Sequence, residues 1–225
     1  MSASARAVKR AHAAIGGWLA LGVVSFLLLP WYFLSDKSVL QALPGVFGGA
    51  DTASGAVQAM LHAKPWLWVA LLGLVMAAAG WRLPPGRAQG RWLSAGAGIG
   101  LAGLLFSGFA IGAKGWSFEW MNTGFGPLAA GQFGIGLGAA LTLLALLMLL
   151  GAGIARLGYF RGDVFVASAV IFCGALLALF VALPVLRALS GAFFNEAGEL
   201  GLGAMWAHIG NERTWGLSCV VGGQR

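Results

Sequence analysis

The chain has 225 residues, of which 59% are hydrophobic and only 9% are charged. A soluble domain carries about 25% charged residues, so this composition excludes the disordered and ordinary soluble classes. The formal net charge is +7. Its basic residues cluster in short segments between apolar runs, which is a pattern of membrane orientation and argues against a nucleic-acid partner.

Five long apolar runs follow one another along the chain, and none contains a charged side chain. A run of about 20 apolar residues matches the roughly 30 Å hydrocarbon core of a bilayer, so each run predicts a transmembrane helix. The second run is slightly short and needs flanking residues or local bilayer thinning to span. The runs cover residues 15–34, 66–81, 92–113, 131–155 and 164–186. We therefore expect an all-α, polytopic membrane helix bundle with about five transmembrane helices.

The basic residues are divided unevenly between the two sides of these runs. Eight of the 14 lie before the first run and in the loops after the second and fourth runs, and they share that side with one acid, Asp163. Short loops rich in Lys and Arg stay cytoplasmic, which predicts an N-inside, C-outside topology. The eight residues are Arg6, Lys9, Arg10, Arg82, Arg87, Arg91, Arg156 and Arg161.

This topology divides the chain into three parts. Residues 1–14 form a basic cytoplasmic arm, residues 15–186 form the five-span membrane domain, and residues 187–225 form an extracytoplasmic tail. The first run is longer than the 7–15 residues of a signal-peptide core, so we expect an uncleaved anchor. Helical spacing in the tail predicts a short interfacial helix. Its apolar residues are Leu202, Met205, Trp206 and Ile209.

Two outer loops carry further local signals. Residues 52–62 predict a short helix with Val57, Met60 and Leu61 on one face. The aromatic-rich residues 114–130 predict a re-entrant or interface-hugging segment.

Glycine residues in and near the runs predict where helices pack against each other, and proline residues predict where helices end. Small residues spaced four apart let helix backbones approach closely, and we expect them to pack helices within this chain. Pro30 and Pro184 lie near outer helix ends, where we expect them to end or kink the spans. The glycine pairs are Gly96 and Gly100, Gly108 and Gly112, and Gly134 and Gly138.

The sequence has no pattern that predicts catalysis. No run contains Asp, Glu, Lys, Arg or His, which argues against an ion-coupled pump acting alone. His12, His62 and His208 lie outside the runs, which disfavours an intramembrane haem. There is no P-loop and no cluster with metal-ligand spacing. We therefore expect no enzyme activity and no catalytic, cofactor-binding or metal-binding residues.

The tail carries the most specific local motif. Residues 214–225 read Thr-Trp-Gly-Leu-Ser-Cys-Val-Val-Gly-Gly-Gln-Arg. This stretch resembles a periplasmic segment of bacterial ABC transporter permeases of the ferric-iron, binding-protein-dependent type. In that family a Trp-Gly-Leu-x-Cys-x-x-Gly-Gly stretch precedes a further Cys-Gly and a membrane helix. The five-span region resembles the family only in hydropathy and glycine richness.

The resemblance implies a permease component that imports a solute, with ferric iron as the solute. Its implied partners are a cytoplasmic ATPase subunit and a periplasmic solute-binding protein, in addition to membrane lipids. Such permeases dock the ATPase through a cytoplasmic coupling loop, and the loops 82–91 and 156–163 are too short to match it. We therefore expect the N-terminal portion of a longer permease, with a complete small membrane protein as the alternative reading.

The two cysteines have different predicted roles. Cys173 lies mid-helix in the fifth run, where it is expected to act as a small packing residue. Cys219 lies in the outer tail, whose compartment permits disulfides. The resemblance implies that Cys219 forms a structural disulfide with a partner outside this sequence.

A second class of function remains open from the residues alone. The chain would then be a non-transporting membrane scaffold or sensor, whose aromatic outer loops bind a protein partner or lipid. A membrane redox protein is disfavoured, because the runs lack histidines.

Overall fold

The computed structural model describes residues 3–34, 38–49, 51–112, 115–116, 119–126, 134–186 and Gly203. This part of the chain is all-helical apart from its connections and a two-stranded ribbon with two residues in each strand. The elements in chain order are α1 (Ala3–Leu28), α2 (Val39–Ala42), α3 (Gly55–Leu61), α4 (Trp68–Trp81), α5 (Arg87–Ala110), β1 (Ile111–Gly112), β2 (Gly115–Trp116), α6 (Glu119–Phe125), α7 (Leu137–Arg156) and α8 (Val164–Leu177). The predicted all-α class is confirmed for these residues.

Three helices among the described residues are long and apolar enough to cross a membrane. They are Lys9–Leu28, Leu137–Arg156 and Val164–Leu186. The helical segment Pro65–Trp81 is apolar but shorter. The chain therefore has the helices of a multi-span membrane protein, while the count of five spans and their orientation stay predictions.

The first and fourth runs have helical boundaries that differ from the hydropathy pattern. α1 begins at Ala3, so residues 3–14 of the basic arm are helical and continue directly into the first apolar run. It ends at Leu28, two residues before Pro30, as expected from a residue that disfavours helix interiors. α7 begins only at Leu137, although its apolar run begins at residue 131.

The chain divides into two compact units, Met1–Phe172 and Cys173–Arg225. In the first unit, α5 packs between α4 and α7, and α1 packs against α7 and α4. α4 and α5 run in opposite directions, because Gly80 lies against Trp92 whereas Gly73 lies against Gly100. The largest buried apolar side chains of its core include Phe26, Leu74, Leu93, Leu146 and Leu149.

Glycines allow α4 and α5 to approach each other closely. A Cβ added to Gly73 would lie 2.5 Å from the carbonyl oxygen of Gly96 and 2.7 Å from the Cα of Gly100. The predicted packing role of Gly96 and Gly100 is therefore confirmed. A Cβ on Gly108 would meet no heavy atom within 4 Å. The predicted glycine pair of Gly108 and Gly112 therefore does not pack against another helix at Gly108.

In the second unit, the described residues 173–186 continue α8 into a π-helical turn at Ala178–Ala182. The backbone N–H of Leu183 donates to the carbonyl of Ala178, one residue further back than in an α-helix. The wider turn comes just before Pro184, whose ring would clash with the carbonyl four residues earlier in a regular α-helix. The expected distortion near Pro184 is therefore a π turn.

The short helix predicted at residues 52–62 is present as α3, but its apolar face does not pack inward. Met60 is 66% and Leu61 is 69% exposed, whereas Gly55, Gln58 and Ala59 are buried. The reason is a close approach, because a Cβ on Gly55 would lie 2.6 Å from the Trp31 ring. Small residues fit against that ring, and the larger apolar side chains therefore face away.

Several expectations fall on residues outside the described part of the chain. They are the tail helix at residues 202–209 apart from Gly203, the motif at residues 214–225 with Cys219, and residues 114, 117–118 and 127–130 of the aromatic loop. The described residues of that loop form β2 and α6.

Candidate functional site

The end of the first unit at which α1 finishes and α7 begins is called here the Tyr32 end. Residues 30–32 are extended between two other backbone segments. The N–H of Trp31 donates to the carbonyl of Ala53 at 3.0 Å, and the carbonyl of Trp31 accepts the N–H of Gly136 at 3.0 Å. The backbone of this segment is therefore hydrogen-bonded on both sides without being helical.

Burial explains how such an irregular segment persists next to apolar helices. Trp31 is 3% and Tyr32 is 2% exposed, and Pro30 is fully buried. Non-helical backbone at membrane depth is tolerated where protein covers it or where it lines a cavity. Gly138 completes the arrangement, since its N–H donates to the carbonyl of Pro30 at 2.9 Å.

Two cavities lie on either side of Tyr32. The larger, of about 400 Å³, is lined by Phe33, Ile135 and Ala140 among others. The smaller, of about 180 Å³, lies against Tyr32 and Ser107. The Ser107 hydroxyl donates to the carbonyl of Leu104 at 2.8 Å, so its proton is not available to a ligand. The side chains that line both cavities are largely apolar.

Lys64 brings a positive charge to the same end. Its Nζ lies 4.0 Å from the centroid of the Tyr32 ring, in a cation–π contact. Burial lowers the pKa of the Lys64 ammonium to about 8, and the carboxylate of Asp51 opposes this by raising it. Ala63 is held at a φ of +52°, a conformation that is costly for a residue with a Cβ.

A cluster of three aromatic rings lies beside this lysine. Trp66 and Trp116 meet edge to face with ring centroids 4.8 Å apart, and Phe125 lies 5.6 Å from Trp116. The Nε1–H of Trp116 donates to the carbonyl of Gly126 at 3.0 Å, which ties β2 to the residue after α6. The cluster fixes the aromatic loop onto the start of the second apolar run.

The opposite end of the unit, called here the Arg156 end, is also built by long-range contacts. The His12 ring stacks on Trp81 with centroids 5.1 Å apart, and the Trp81 Nε1–H donates to the His12 carbonyl. Gln89 is buried and donates to the carbonyls of Leu83 and Trp81, which caps the end of α4. The sequence places His12 outside the apolar runs as a solvated loop or interface residue, and its one signal for this contact is Trp81 at the end of a run.

The residues predicted from the sequence as a site differ from the residues that meet in the structure. Cys173 is a free, exposed cysteine on α8, and the predicted disulfide residue Cys219 lies outside the described residues. Within the described ranges, no group of three or more His, Cys, Asp or Glu side chains is placed to hold a metal ion. Tyr32 and Lys64 are far apart in sequence, and no local motif links them.

Comparison with known proteins gives no relative for this chain. No protein-family model, no curated protein and no solved structure matches it. The permease resemblance of residues 214–225 therefore stays a prediction from the sequence.

Proposed function

We propose that this chain is a membrane-spanning permease component of an ABC importer in a bacterial inner membrane. The observation that carries the transport role is that two apolar runs have non-helical ends at one place, residues 29–34 of the first run and residues 134–136 of the fourth. The first run leaves its helix at Leu28 and the fourth enters its helix at Leu137, and cavities flank the unwound residues. Transporters commonly bind solutes where membrane helices are interrupted beside a cavity.

The packing of the helices supports five spans. α4 and α5 pack along each other, and α5 also packs on α7, which is long and apolar enough to cross. The helical segment Pro65–Trp81 is about 25 Å long at the usual rise, close to the bilayer core with slight thinning. Residues 92–110 of α5 contain no charge.

The ABC class and the solute rest on the tail motif at residues 214–225. The resemblance supports a cytoplasmic ATPase and a periplasmic binding protein as partners and ferric iron as the solute. Iron is cargo in this proposal, and no residue of the Tyr32 end is assigned as its ligand.

Solute uptake in cells that carry the intact gene tests the proposal. Ala140 lines the larger cavity, and Ala140→Phe would fill part of it. Ala102 is an exposed alanine on α5 that lines neither cavity, so Ala102→Phe is the matched control. We expect energy-dependent ferric-iron uptake to be lost on gene deletion, to fall in Ala140→Phe and to persist in Ala102→Phe at equal protein levels. Uptake that is unchanged by deletion would refute the proposal.

The second candidate is a membrane scaffold or sensor, and the aromatic cluster of Trp66, Trp116 and Phe125 is the observation that favours it. Trp120 is 62% exposed on the adjoining α6 and extends this aromatic surface. Affinity purification of the intact gene product discriminates the two functions. Co-purification of an ATPase subunit supports the permease, and a partner captured only when Trp120 is intact supports the scaffold.

A further inference from the structure

A groove of about 780 Å³ opens at the Arg156 end, between α1, the end of α7 and the start of α8. Arg10, Arg156 and Arg161 line it, together with one acid, Asp163. The Oδ1 of Asp163 accepts the backbone N–H groups of Phe165 and Val166, so this carboxylate caps α8. The groove therefore has a net positive charge.

Arg156 is the residue that most needs a partner. Its Nε and Nη2 are buried, and neither atom has a hydrogen-bond partner among the described residues. An unpaired buried guanidinium nitrogen loses its hydration without compensation, which is unfavourable. A negatively charged oxygen ligand in the groove would satisfy both atoms, because guanidinium binds phosphate through parallel hydrogen bonds.

The connection after α7 brings Arg161 to the same groove through a strained backbone. Phe160 and Arg161 have φ values of +52° and +55°, and Gly158 and Gly162 on either side also have positive φ. A left-handed backbone conformation is unfavourable for a residue with a Cβ. This tight loop places Arg161 beside the end of α7 that carries Arg156.

The apolar side chains that line the groove favour a lipid over a free anion as its ligand. Trp18, Met148, Phe165 and Phe172 line it, and they belong to helices that are apolar enough to cross a membrane. Phe165 is 81% exposed. A phosphate held by the arginines would have its acyl chains beside these apolar side chains. Basic pockets between membrane helices are suited to anionic headgroups.

We propose that this groove binds the phosphate of an anionic phospholipid, with Arg156 and Arg161 as its main ligands and with the acyl chains along the apolar wall. The inference does not depend on the transport role. It concerns residues of the first unit alone, and a scaffold protein would bind the lipid equally well.

Lipid titration of the purified full chain in a zwitterionic detergent tests this. The probes are dioleoyl phosphatidylglycerol, dioleoyl phosphatidylcholine and inorganic phosphate, and native mass spectrometry measures the bound lipid. We expect phosphatidylglycerol to bind in preference to phosphatidylcholine. Binding should be about tenfold weaker in the Arg156→Gln/Arg161→Gln variant, since it loses charged hydrogen bonds. The exposed pair Arg82→Gln/Arg87→Gln removes the same charge outside the groove and should leave binding unchanged.

A second variant keeps every arginine and so remains informative if the double variant does not fold. Ala169 is half-buried and lines the groove, so Ala169→Phe should block the acyl chains. We expect it to weaken phosphatidylglycerol binding. Equal loss of lipid in both arginine pairs would overturn the proposal, because it would show non-specific attraction. Unchanged lipid binding in Ala169→Phe, or phosphate displacing the lipid at equal concentration, would show a free-anion site and would also overturn it.

Discussion

Lys64 shows how a single charged residue is held at the Tyr32 end. Desolvation disfavours its charged form, and this effect exceeds the opposing influence of Asp51 because the pKa is lowered to about 8. The Tyr32 ring contributes a cation–π contact of about 0.5–2 kcal/mol, depending on desolvation. The charge is therefore retained near neutral pH but is easier to remove than that of an ordinary lysine.

We predict that Lys64 reacts with amine reagents at lower pH than a solvated lysine does. The neutral amine is the nucleophile, and a pKa of about 8 leaves about half of Lys64 neutral at pH 8, against under about 1% at the ordinary value. Peptide mass spectrometry of acylation against pH should give a midpoint near 8 at Lys64.

Asp51→Asn is the paired variant for this measurement. Because the Asp51 carboxylate raises the pKa of Lys64, its removal should move the acylation midpoint to still lower pH. A midpoint for Lys64 near 10.5 would show that the ammonium is solvated, and the described burial would then be wrong.

At the scale of elements, the α4–α5 contact depends on the absence of side chains. In a bilayer, apolar surface is not driven out of water between helices, so close van der Waals packing carries the association. Gly73 lies against backbone atoms of Gly96 and Gly100, which cannot move aside as a flexible side chain can. The two helices therefore approach only while this position is glycine.

We predict that Gly73→Ala destabilises the bundle by about 1–3 kcal/mol, because the added Cβ overpacks a backbone contact. Gly98→Ala on α5 is the control, since a Cβ there would meet no heavy atom within 4 Å. Thermal unfolding in detergent should show a lower midpoint for Gly73→Ala only. Equal midpoints for the two variants would contradict the close packing of α4 on α5.

The sequence predicted which helices form better than it predicted the residues at which they begin and end. The apolar runs locate α1, α4, α5, α7 and α8, because hydropathy over about 20 residues reports membrane depth directly. The hydropathy pattern could not locate the start of α7, because residues 135–136 pair with residues 31–32 of a distant segment. Long-range pairing leaves no local pattern.

The candidate sites were missed for the same reason. Lys64 and Tyr32 meet only after α1 and α4 pack, and nothing in the spacing of either residue signals the contact. Arg156 was recognised only as part of a basic loop, since its burial is a property of three helices together. Of the expected packing features, Gly96 and Gly100 were predictable because their spacing is a local property of one helix.

At the scale of the whole molecule, the basic residues of the Arg156 end point to an orientation in the membrane. Arg10, Arg156 and Arg161 line one groove at the Arg156 end. Trp66, Trp116 and Phe125 form their cluster at the Tyr32 end. The positive-inside rule would place the Arg156 end in the cytoplasm. The proposed lipid groove would then face the inner leaflet, and the cavities beside Tyr32 would face the periplasm.

Reporter fusions along the chain test the five-span, N-inside topology most directly. Alkaline phosphatase is active only outside the cytoplasm, so fusions after Lys64 and Arg213 should be active. Fusions after Arg10, Arg87 and Arg161 should be inactive, and fluorescent-protein fusions at these three positions should be bright. Phosphatase activity after Arg87 or Arg161 would contradict the topology, because the loops at the Arg156 end would then lie outside.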